Sequence, residues 1–509
     1  MNKADGTLFH CCLKQEKIKP QLLSHIGDNP FSDVLIPQKI GIRSTFFNQA
    51  HLNRYEKKIS EHRELSSKFR SLLAGSSRLT RLQAPDLPLD KITIWNTSAN
   101  VVAPVLFGYV HWCLIEAQRR GIEKLYFVAR DGQILHKISQ IICESWRYDI
   151  DCRYLYGSRQ AWHFPAISKI GETELDWILD NTEFLSVYSA CERVNILPAQ
   201  IEDCLQSFGF EQQHWHKNLP SERRNDLRKL FSEKTISDLI IDTATRYRKE
   251  TIGYFRQEGL AEHPRFAIVD IGWHGRLQCS LRKLLDSENL TPKDGLIGFY
   301  FSLSKRVKVS SNEKLLAYFS DPDTPSSRDS LCQFRALFEL FVNADHGGTM
   351  SFEKRDDRYA PVLRCKKNVK ALNWGLTIQQ KAICEFSRYL TKHLDYKDAR
   401  LQDYLIASEV LLREFIEKPS LKEAEIYGAF KFSEDQAENT WYELAPQYKL
   451  IDCLRLLIWD KHPHHNVWIA AAKLRSNAVV RWLLTSNILV FVHRLKRLGS
   501  RFLKTISLF

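Results

Sequence analysis

Short apolar runs that end in polar residues recur along the middle of the chain. They do not alternate with polar residues, which is typical of strands buried on both faces of a parallel sheet. Strands are predicted within residues 124–132, 154–159, 266–275 and 296–301. Apolar residues at helical spacing predict helices at 105–120, 134–142 and 277–285. This alternation of strands and helices predicts an α/β fold with a parallel sheet.

Shifts in the pattern divide the 509 residues into several regions. An amphipathic helix is predicted over Asn53–Leu73, and Gly75–Ser77 and Pro85–Pro88 then predict a linker. Residues 172–258 and 368–456 carry mainly helical patterns. The predicted organisation is an N-terminal segment (1–52), a helix and linker (53–91), an α/β domain with a helical insertion (92–365), a helical region (366–472) and a basic tail (473–509).

Three predicted strands end in side chains that suit ligand binding. They are Arg130, Asp131, Ser158, Arg159, Asp270 and His274. Open α/β folds bind ligands at this edge of the sheet, where arginine suits phosphate and aspartate suits a metal, a sugar hydroxyl or general base catalysis. Glu339 and His346 are candidates for a further acid/base pair from a later loop. The alternative is structural, with an Arg130–Asp131 ion pair and Asp270 as the N-cap of the next helix.

A second candidate site lies near the start of the chain. Leu22, Leu23 and Ile26 lead into Gly27-Asp28, and another carboxylate, Asp33, follows five residues later. A buried strand that ends at Gly27 places Asp28 at the carboxyl edge of a parallel sheet, and two carboxylates that converge there suit Mg²⁺. The alternative is an ordinary turn between a strand and a loop.

The stretch Gly27–Asp33 resembles the Gly-Asp-x-x-x-x-Asp motif of the haloacid dehalogenase (HAD) superfamily of phosphotransferases. Residues 3–9 resemble that family's lysine motif, and residues 41–47 resemble its next strand. The resemblance implies that Lys3 neutralises a phosphoryl group while Asp28 and Asp33 hold Mg²⁺. The family's nucleophilic Asp-x-Asp motif has no counterpart before Lys3, so we expect no phosphoaspartate from this chain alone. The segment is then a domain with a misassigned start, a relic, or half of a domain that a separate polypeptide completes.

The order of motifs over residues 1–350 resembles two-domain predicted HAD-superfamily hydrolases associated with bacterial capsule and surface-polysaccharide gene clusters. The motifs that carry this resemblance are Ala129–Gly132, Ser158-Arg159 and Asp270–Trp273. It implies phosphatase or phosphotransferase chemistry, a phosphorylated sugar or sugar nucleotide as substrate, and glycan-biosynthesis enzymes as partners. The same strand ends also resemble phosphoribosyltransferase-like folds, which implies a sugar-phosphate or nucleotide transferase or binding module in residues 92–349.

The net charge of +13 is unevenly placed, because residues 473–509 contain eight Lys or Arg and no Asp or Glu. Residues 482–504 join an apolar run to cations at helical spacing, which is typical of a helix in an anionic membrane interface. The alternative is a helix packed on the protein. Outside the tail the charge is modest, so nucleic acid is not expected as a partner. The basic tail and the incomplete HAD-like segment both fit a third candidate function, a membrane-associated scaffold for glycan enzymes.

The spacing of the cysteines and the composition of residues 1–10 indicate in which cellular compartment the protein is located. The twelve cysteines are scattered without a C-x-x-C pair, which favours reduced thiols and disfavours a zinc site. His462, His464 and His465 are close in sequence, but Pro463 favours a solvated loop. Residues 1–10 lack a signal-peptide core, and no apolar run approaches the roughly 18 residues that span a bilayer. We expect a cytoplasmic protein, with its tail at the inner face of the membrane.

Overall fold

The computed structural model describes residues 1–179, 184–262, 265–304, 307, 309, 311–433, 441–459 and 468–485. The N-terminal segment contains α1 (Thr7–Glu16), β1 (Ser24–Gly27), α2 (Ile36–Ile40) and β2 (Arg43–Phe46). The two strands are parallel, with Gly27 opposite Phe46, which confirms the strand that ends at Gly27. That strand is not buried as predicted. Ile26 is 65% exposed, because the described part of this sheet has only two strands and one of its faces is left uncovered.

Four more helices lie between the N-terminal segment and the central sheet. They are α3 (Arg54–Ser60), α4 (Ser67–Leu82), α5 (Leu89–Thr97) and α6 (Ala103–Arg119). The predicted helix 53–73 is therefore two helices, the first of which is capped by the Asn53 side chain. The linker predicted at Gly75–Ser77 is wrong, because these residues lie inside α4 and the small side chains of Ser76 and Ser77 are buried there. The break at Pro85–Pro88 does separate α4 from α5.

A π-helical turn, Ser98–Val102, joins α5 and α6 into one helical stretch. With 31 residues, Leu89–Arg119 is the single described helix that is long and apolar enough to cross a membrane. The expectation concerned an uninterrupted apolar run, and this stretch does not contain one of that length because Asn96, Ser98 and Asn100 interrupt it. Its most apolar window is 89% buried inside the protein, so this is a core helix.

The first two strands of the central sheet are β3 (Lys124–Val128) and β4 (Asp151–Leu155), with α7 (Gly132–Trp146) between them. β4 ends at Leu155, so residues 156–158 of the predicted strand 154–159 form a connection, and Arg159 begins a helix. The helix α8 (Arg159–His163) follows β4. The pattern over the insertion at residues 172–258 predicted helices, and the structure has α9 (Glu172–Ile178), α10 (Val187–Arg193), α11 (Glu202–Ser207), α12 (Ser221–Ser232) and α13 (Lys234–Gln257) there. An apolar core of its own, built from residues 164–244, lies within this insertion.

The remaining strands of the sheet are β5 (Phe266–Asp270), β6 (Ile297–Ser302) and β7 (Lys314–Ser320), with α14 (Arg276–Asp286) between the first two. All five strands are parallel and lie in the order β4-β3-β5-β6-β7, so the predicted parallel α/β sheet is confirmed. The strand β7 was not predicted. It follows β6 without an intervening helix, so the strand–helix–strand pattern does not mark it.

The rest of the described chain is mainly helical, as predicted. Its elements are α15 (Arg335–Phe341), β8 (Thr349–Arg355), β9 (Arg358–Leu363), α16 (Val369–Trp374), α17 (Leu376–His393), α18 (Leu401–Glu417), α19 (Leu421–Gly428), β10 (Lys431–Phe432), β11 (Tyr442–Glu443), α20 (Leu450–Trp459), α21 (Ile469–Arg475) and α22 (Ala478–Thr485). His462, His464 and His465 lie outside the described residues, and so does the predicted interfacial helix beyond Thr485.

The sheet separates two apolar cores. Leu125 and Phe127 of β3 face a large core that α6, α7, α17 and α18 help to build. Tyr126 and Val128 face a smaller core that α8, α13 and α14 help to build. Alternate residues of a strand point to opposite faces, so both faces of this sheet are covered by helices.

The turn from β3 into α7 depends on Gly132. A Cβ atom at this position would lie 2.5 Å from the backbone carbon of Phe127 and 2.7 Å from its carbonyl oxygen. These contacts are with backbone atoms, which cannot rotate away. Gly132 therefore lets α7 begin directly above the end of β3.

We expect Gly132→Ala to lower the free energy of unfolding by roughly 2 kcal/mol, because the new methyl group overpacks against backbone. Gly75→Ala is the matched control, since nothing lies within 4 Å of a Cβ there and Gly75 is inside α4. That change should be neutral or stabilising by up to about 1 kcal/mol. Urea unfolding measures both, and equal stabilities would contradict the close approach.

Candidate active site at the carboxyl edge of the parallel sheet

The strand order places a crevice between β3 and β5. From β3 the chain continues through α7 to β4 on one side, and from β5 it continues through α14 to β6 on the other. The helices α7 and α14 pack on opposite faces, α7 with α6 and α17 and α14 with α8 and α13. Such a point of divergence is where open α/β sheets bind ligands. Asp131 and Asp270 lie at this point.

Asp131 immediately precedes α7 and is half-buried. Its side chain makes no capping hydrogen bond to α7. Among the described residues it forms no ion pair with Arg130 either, so the predicted structural ion pair is wrong. Burial raises the pKa of the Asp131 carboxyl well above its ordinary value, and the negative charges of Asp270 and Glu339 raise it further. The nearby charge of Arg130 acts in the opposite direction.

Asp270 is the last residue of β5 and is also half-buried. Burial raises the pKa of its carboxyl to about 7, and the charge of Glu339 adds to this. Two backbone amides favour the ionised form, because Ile271 N donates to Asp270 Oδ1 at 2.8 Å and Gly272 N donates as well. Asp270 is not the N-cap of α14, a position that Gly275 occupies, so the capping alternative is wrong.

The two carboxyls can therefore divide the roles of acid and base. Asp131 has no hydrogen-bond donor of its own among the described residues, so nothing there offsets the effect of burial, which favours its protonated form. The amides at Asp270 stabilise its negative charge. A pair of carboxyls whose surroundings separate their pKa values is suited to general acid and general base catalysis.

Glu339 completes this acidic group from α15. Its side chain is exposed, and Trp273 Nε1 donates to Glu339 Oε1 at 3.4 Å. The guanidinium of Arg335 lies 5.6 Å from the centre of the Trp273 ring. Glu339 was predicted in a loop, as part of an acid/base pair with His346. It lies in the helix α15 instead, where its charge reaches both Asp131 and Asp270.

His346 is buried and fixed at both ring nitrogens. Its Nδ1 lies 2.8 Å from the Gly347 carbonyl oxygen, so it carries the proton, and Nε2 accepts from the Tyr154 hydroxyl at 2.8 Å. Burial raises the pKa of Tyr154, and the charges of Asp131 and Asp345 add to this effect. His346 thus positions Tyr154 beside the acidic group. Tyr154 was not predicted, although a tyrosine near the end of a strand is a polar group at the right edge.

The other predicted residues have different surroundings. Arg130 is exposed and has no ion-pair partner among the described residues. Ser158 is the N-cap of α8, because its hydroxyl oxygen accepts a hydrogen bond from Ala161 N. The same hydroxyl donates to Thr349 O at 2.5 Å. Arg159 is exposed at the first position of α8 and makes no ion pair with the carboxylates in the described chain. His274 is half-buried in the turn before α14. The structure therefore brings together Asp131, Asp270, Glu339 and Arg130, while Ser158 has a structural role.

In the N-terminal segment, Lys3 and Asp33 do meet. Lys3 Nζ lies 2.6 Å from Asp33 Oδ1, and His25 Nε2 lies 3.0 Å from the same oxygen. The ion pair with Lys3 lowers the pKa of the buried Asp33 carboxyl to about 2, and the His25 contact and the Asn29 amide contribute to the shift. Asp28 is exposed and faces His51 at 3.6 Å, so the two carboxylates have different partners. Among the described residues, no group of three or more His, Cys, Asp or Glu is arranged to hold a metal ion.

No protein-family model matches the chain, and no curated protein matches it.

Asp270 should make stability depend on pH. Its raised pKa means that the folded protein keeps a proton that the unfolded chain releases between about pH 4 and pH 7, so the free energy of unfolding falls as pH rises through this interval. The substitution Asp270→Asn removes this decrease in the free energy of unfolding, and the amide oxygen of the asparagine can still accept a hydrogen bond from Ile271 N. We expect the variant to exceed the natural protein in stability by roughly 2 kcal/mol or more at pH 8, with the difference shrinking toward pH 4.

Urea unfolding at pH 4, 6 and 8 measures this effect. Asp238→Asn, at an exposed position on α13, is the control and should leave the pH dependence unchanged. A stability difference for Asp270→Asn that stays constant from pH 4 to pH 8 would contradict the raised pKa.

Proposed function

We propose that residues 92–349 bind a phosphorylated sugar or sugar nucleotide at the carboxyl edge of the five-strand sheet and transfer or hydrolyse its glycosyl group. The observation that carries this proposal is the pair Asp131 and Asp270 at the point where the strand order diverges. A binding module without catalysis would not need two carboxyls held away from their ordinary pKa values. Perturbed carboxyls in a crevice are typical of catalytic sites.

In this proposal the two carboxyls act on opposite sides of the bond that breaks. The ionised carboxylate of Asp270 removes a proton from the attacking hydroxyl or water, and the oxygen of that hydroxyl or water forms a bond to the anomeric carbon. Asp131, protonated, donates its proton to the departing phosphate oxygen, and the bond from that oxygen to the anomeric carbon breaks. The exposed guanidinium of Arg130 is placed to bind the phosphate.

The proposal is tested with a panel of sugar phosphates and sugar nucleotides. A ligand that binds only the folded state raises the thermal unfolding midpoint. We expect at least one member of the panel to do so, and Arg130→Ala to remove the shift. Arg119→Ala is the control, since Arg119 is exposed at the end of α6, before β3 begins, and thus at the opposite edge of the sheet.

Product analysis of the ligand identified in this way then separates binding from catalysis. In the variants Asp131→Asn and Asp270→Asn, the ligand should still raise the thermal unfolding midpoint, but no product should form. No shift across the panel, or the same shift in Arg130→Ala, would refute the proposed site.

We also propose that residues 1–52 are a HAD-like segment that contributes Lys3, Asp28 and Asp33 to a phosphotransferase site with Mg²⁺. Support comes from the parallel pair β1 and β2 that ends at Gly27 and from the 2.6 Å contact between Lys3 and Asp33. In this interpretation the lysine and the carboxylates orient phosphate and Mg²⁺, while the nucleophile comes from strands that carry an Asp-x-Asp motif. Among the described residues β1 pairs with β2 alone, so its other edge can pair with such strands.

Aryl phosphate hydrolysis tests this second proposal. We expect no turnover from the chain alone, and turnover with Mg²⁺ once a polypeptide that supplies the Asp-x-Asp strands is added. Asp33→Asn should abolish it, whereas Glu16→Gln, at an exposed position at the end of α1, should not. Continued absence of turnover in the mixture would refute the proposal.

A further inference from the structure

Two cysteines of the central domain lie opposite each other. Cys143 is near the end of α7 and Cys152 is the second residue of β4, and their sulfur atoms are 3.9 Å apart. A disulfide bond is about 2.0 Å long, so the sulfurs need to approach by about 2 Å to form one. Both residues are half-buried, so a small oxidant can reach them.

We propose that Cys143 and Cys152 form a reversible disulfide, for which the oxidant is a low-molecular-weight disulfide such as oxidised glutathione. The other cysteines lack this arrangement. Among the described residues, which include all twelve cysteines, no other two sulfur atoms lie within hydrogen-bonding distance. Cys11 and Cys12 are adjacent in sequence, which is poor geometry for a bond between them.

The reaction assigns a different role to each thiol. Cys152 attacks first, because hydrogen bonds from Cys143 and from Ser139 lower the pKa of its thiol. The same contact and burial raise the pKa of Cys143, so this thiol is the second to react. The Cys152 thiolate bonds to one sulfur of oxidised glutathione and releases the other half as a thiolate. Cys143 then loses its proton, attacks the Cys152 sulfur and releases the second glutathione. The two protein thiols are thus oxidised, and one glutathione disulfide is reduced to two thiols.

The disulfide would link α7 to β4, two elements that lie next to residues of the candidate active site. The helix α7 begins directly after Asp131, and β4 carries Tyr154 two residues after Cys152. Between the cysteines the chain turns through Arg147, which has a φ of 57°. Oxidation therefore closes a short ring without involving any residue of the site. The inference does not depend on the proposed function.

Peptide mapping tests the inference on the full chain. The reduced protein is incubated with oxidised glutathione under native conditions, free thiols are blocked with N-ethylmaleimide, and the digest is analysed by mass spectrometry. We expect a cross-linked peptide that joins residues 143 and 152, two fewer maleimide adducts per chain, and reversal by dithiothreitol. The thermal unfolding midpoint should rise on oxidation and return on reduction.

Serine variants supply the controls. In Cys143→Ser, Cys152 should stop at a mixed disulfide with glutathione, and in Cys152→Ser, Cys143 should remain reduced. Cys12→Ser, at an exposed position, should keep the cross-link. Maleimide on both Cys143 and Cys152 after oxidation, or a cross-link that forms only in urea, would overturn the inference.

Discussion

Both faces of the parallel sheet have to be covered, because its strands carry apolar side chains on each side. The residues of β3 show this directly, since Leu125 and Phe127 face one core while Tyr126 and Val128 face the other. On the face covered by α6 and α7, the helices α17 and α18 pack onto these two, and α3 and α4 pack in turn onto α18 and α17. The apolar residues of all six helices belong to one core. The helices α3, α4, α17 and α18, which lie outside residues 92–365, are therefore part of the same packing and not simple attachments.

The same arrangement creates the chemistry of the site. Since α7 and α14 leave β3 and β5 on opposite faces, the ends of these strands are left between them. Asp131 and Asp270 are then surrounded by protein on several sides while part of each remains open to solvent. Partial burial raises their pKa values, and the two backbone amides at Asp270 make the pair unequal. In the part of the chain that the structure describes, only Asp270 has hydrogen-bond donors, which is why the proposed mechanism gives the two carboxyls different roles.

Local patterns were sufficient to predict much of this arrangement from the sequence. The apolar runs that end at Val128 and Asp270 predicted both strands and therefore the position of both carboxyls. The patterns failed where the partner is distant. Tyr154 receives its position from His346, which is 192 residues away in the sequence, and no local signal encodes that contact. Ser158 was assigned to the site although a serine before a helix is also an N-cap, which is its role here. The helix α4 runs through Gly75 because the surrounding helices stabilise it, whereas glycine alone favours a break.

The insertion between β4 and β5 has its own apolar core, built from residues 164–244 and separate from the two cores that flank the sheet. Its two ends join β4 and β5, the strands on either side of β3. A unit that is buried against itself can change in sequence without disturbing the packing of its host. Substitutions within residues 164–244 can thus accumulate while the strands next to Asp131 and Asp270 stay the same. The fold keeps the packing of the insertion and the packing of the sheet on separately adjustable parts of one chain.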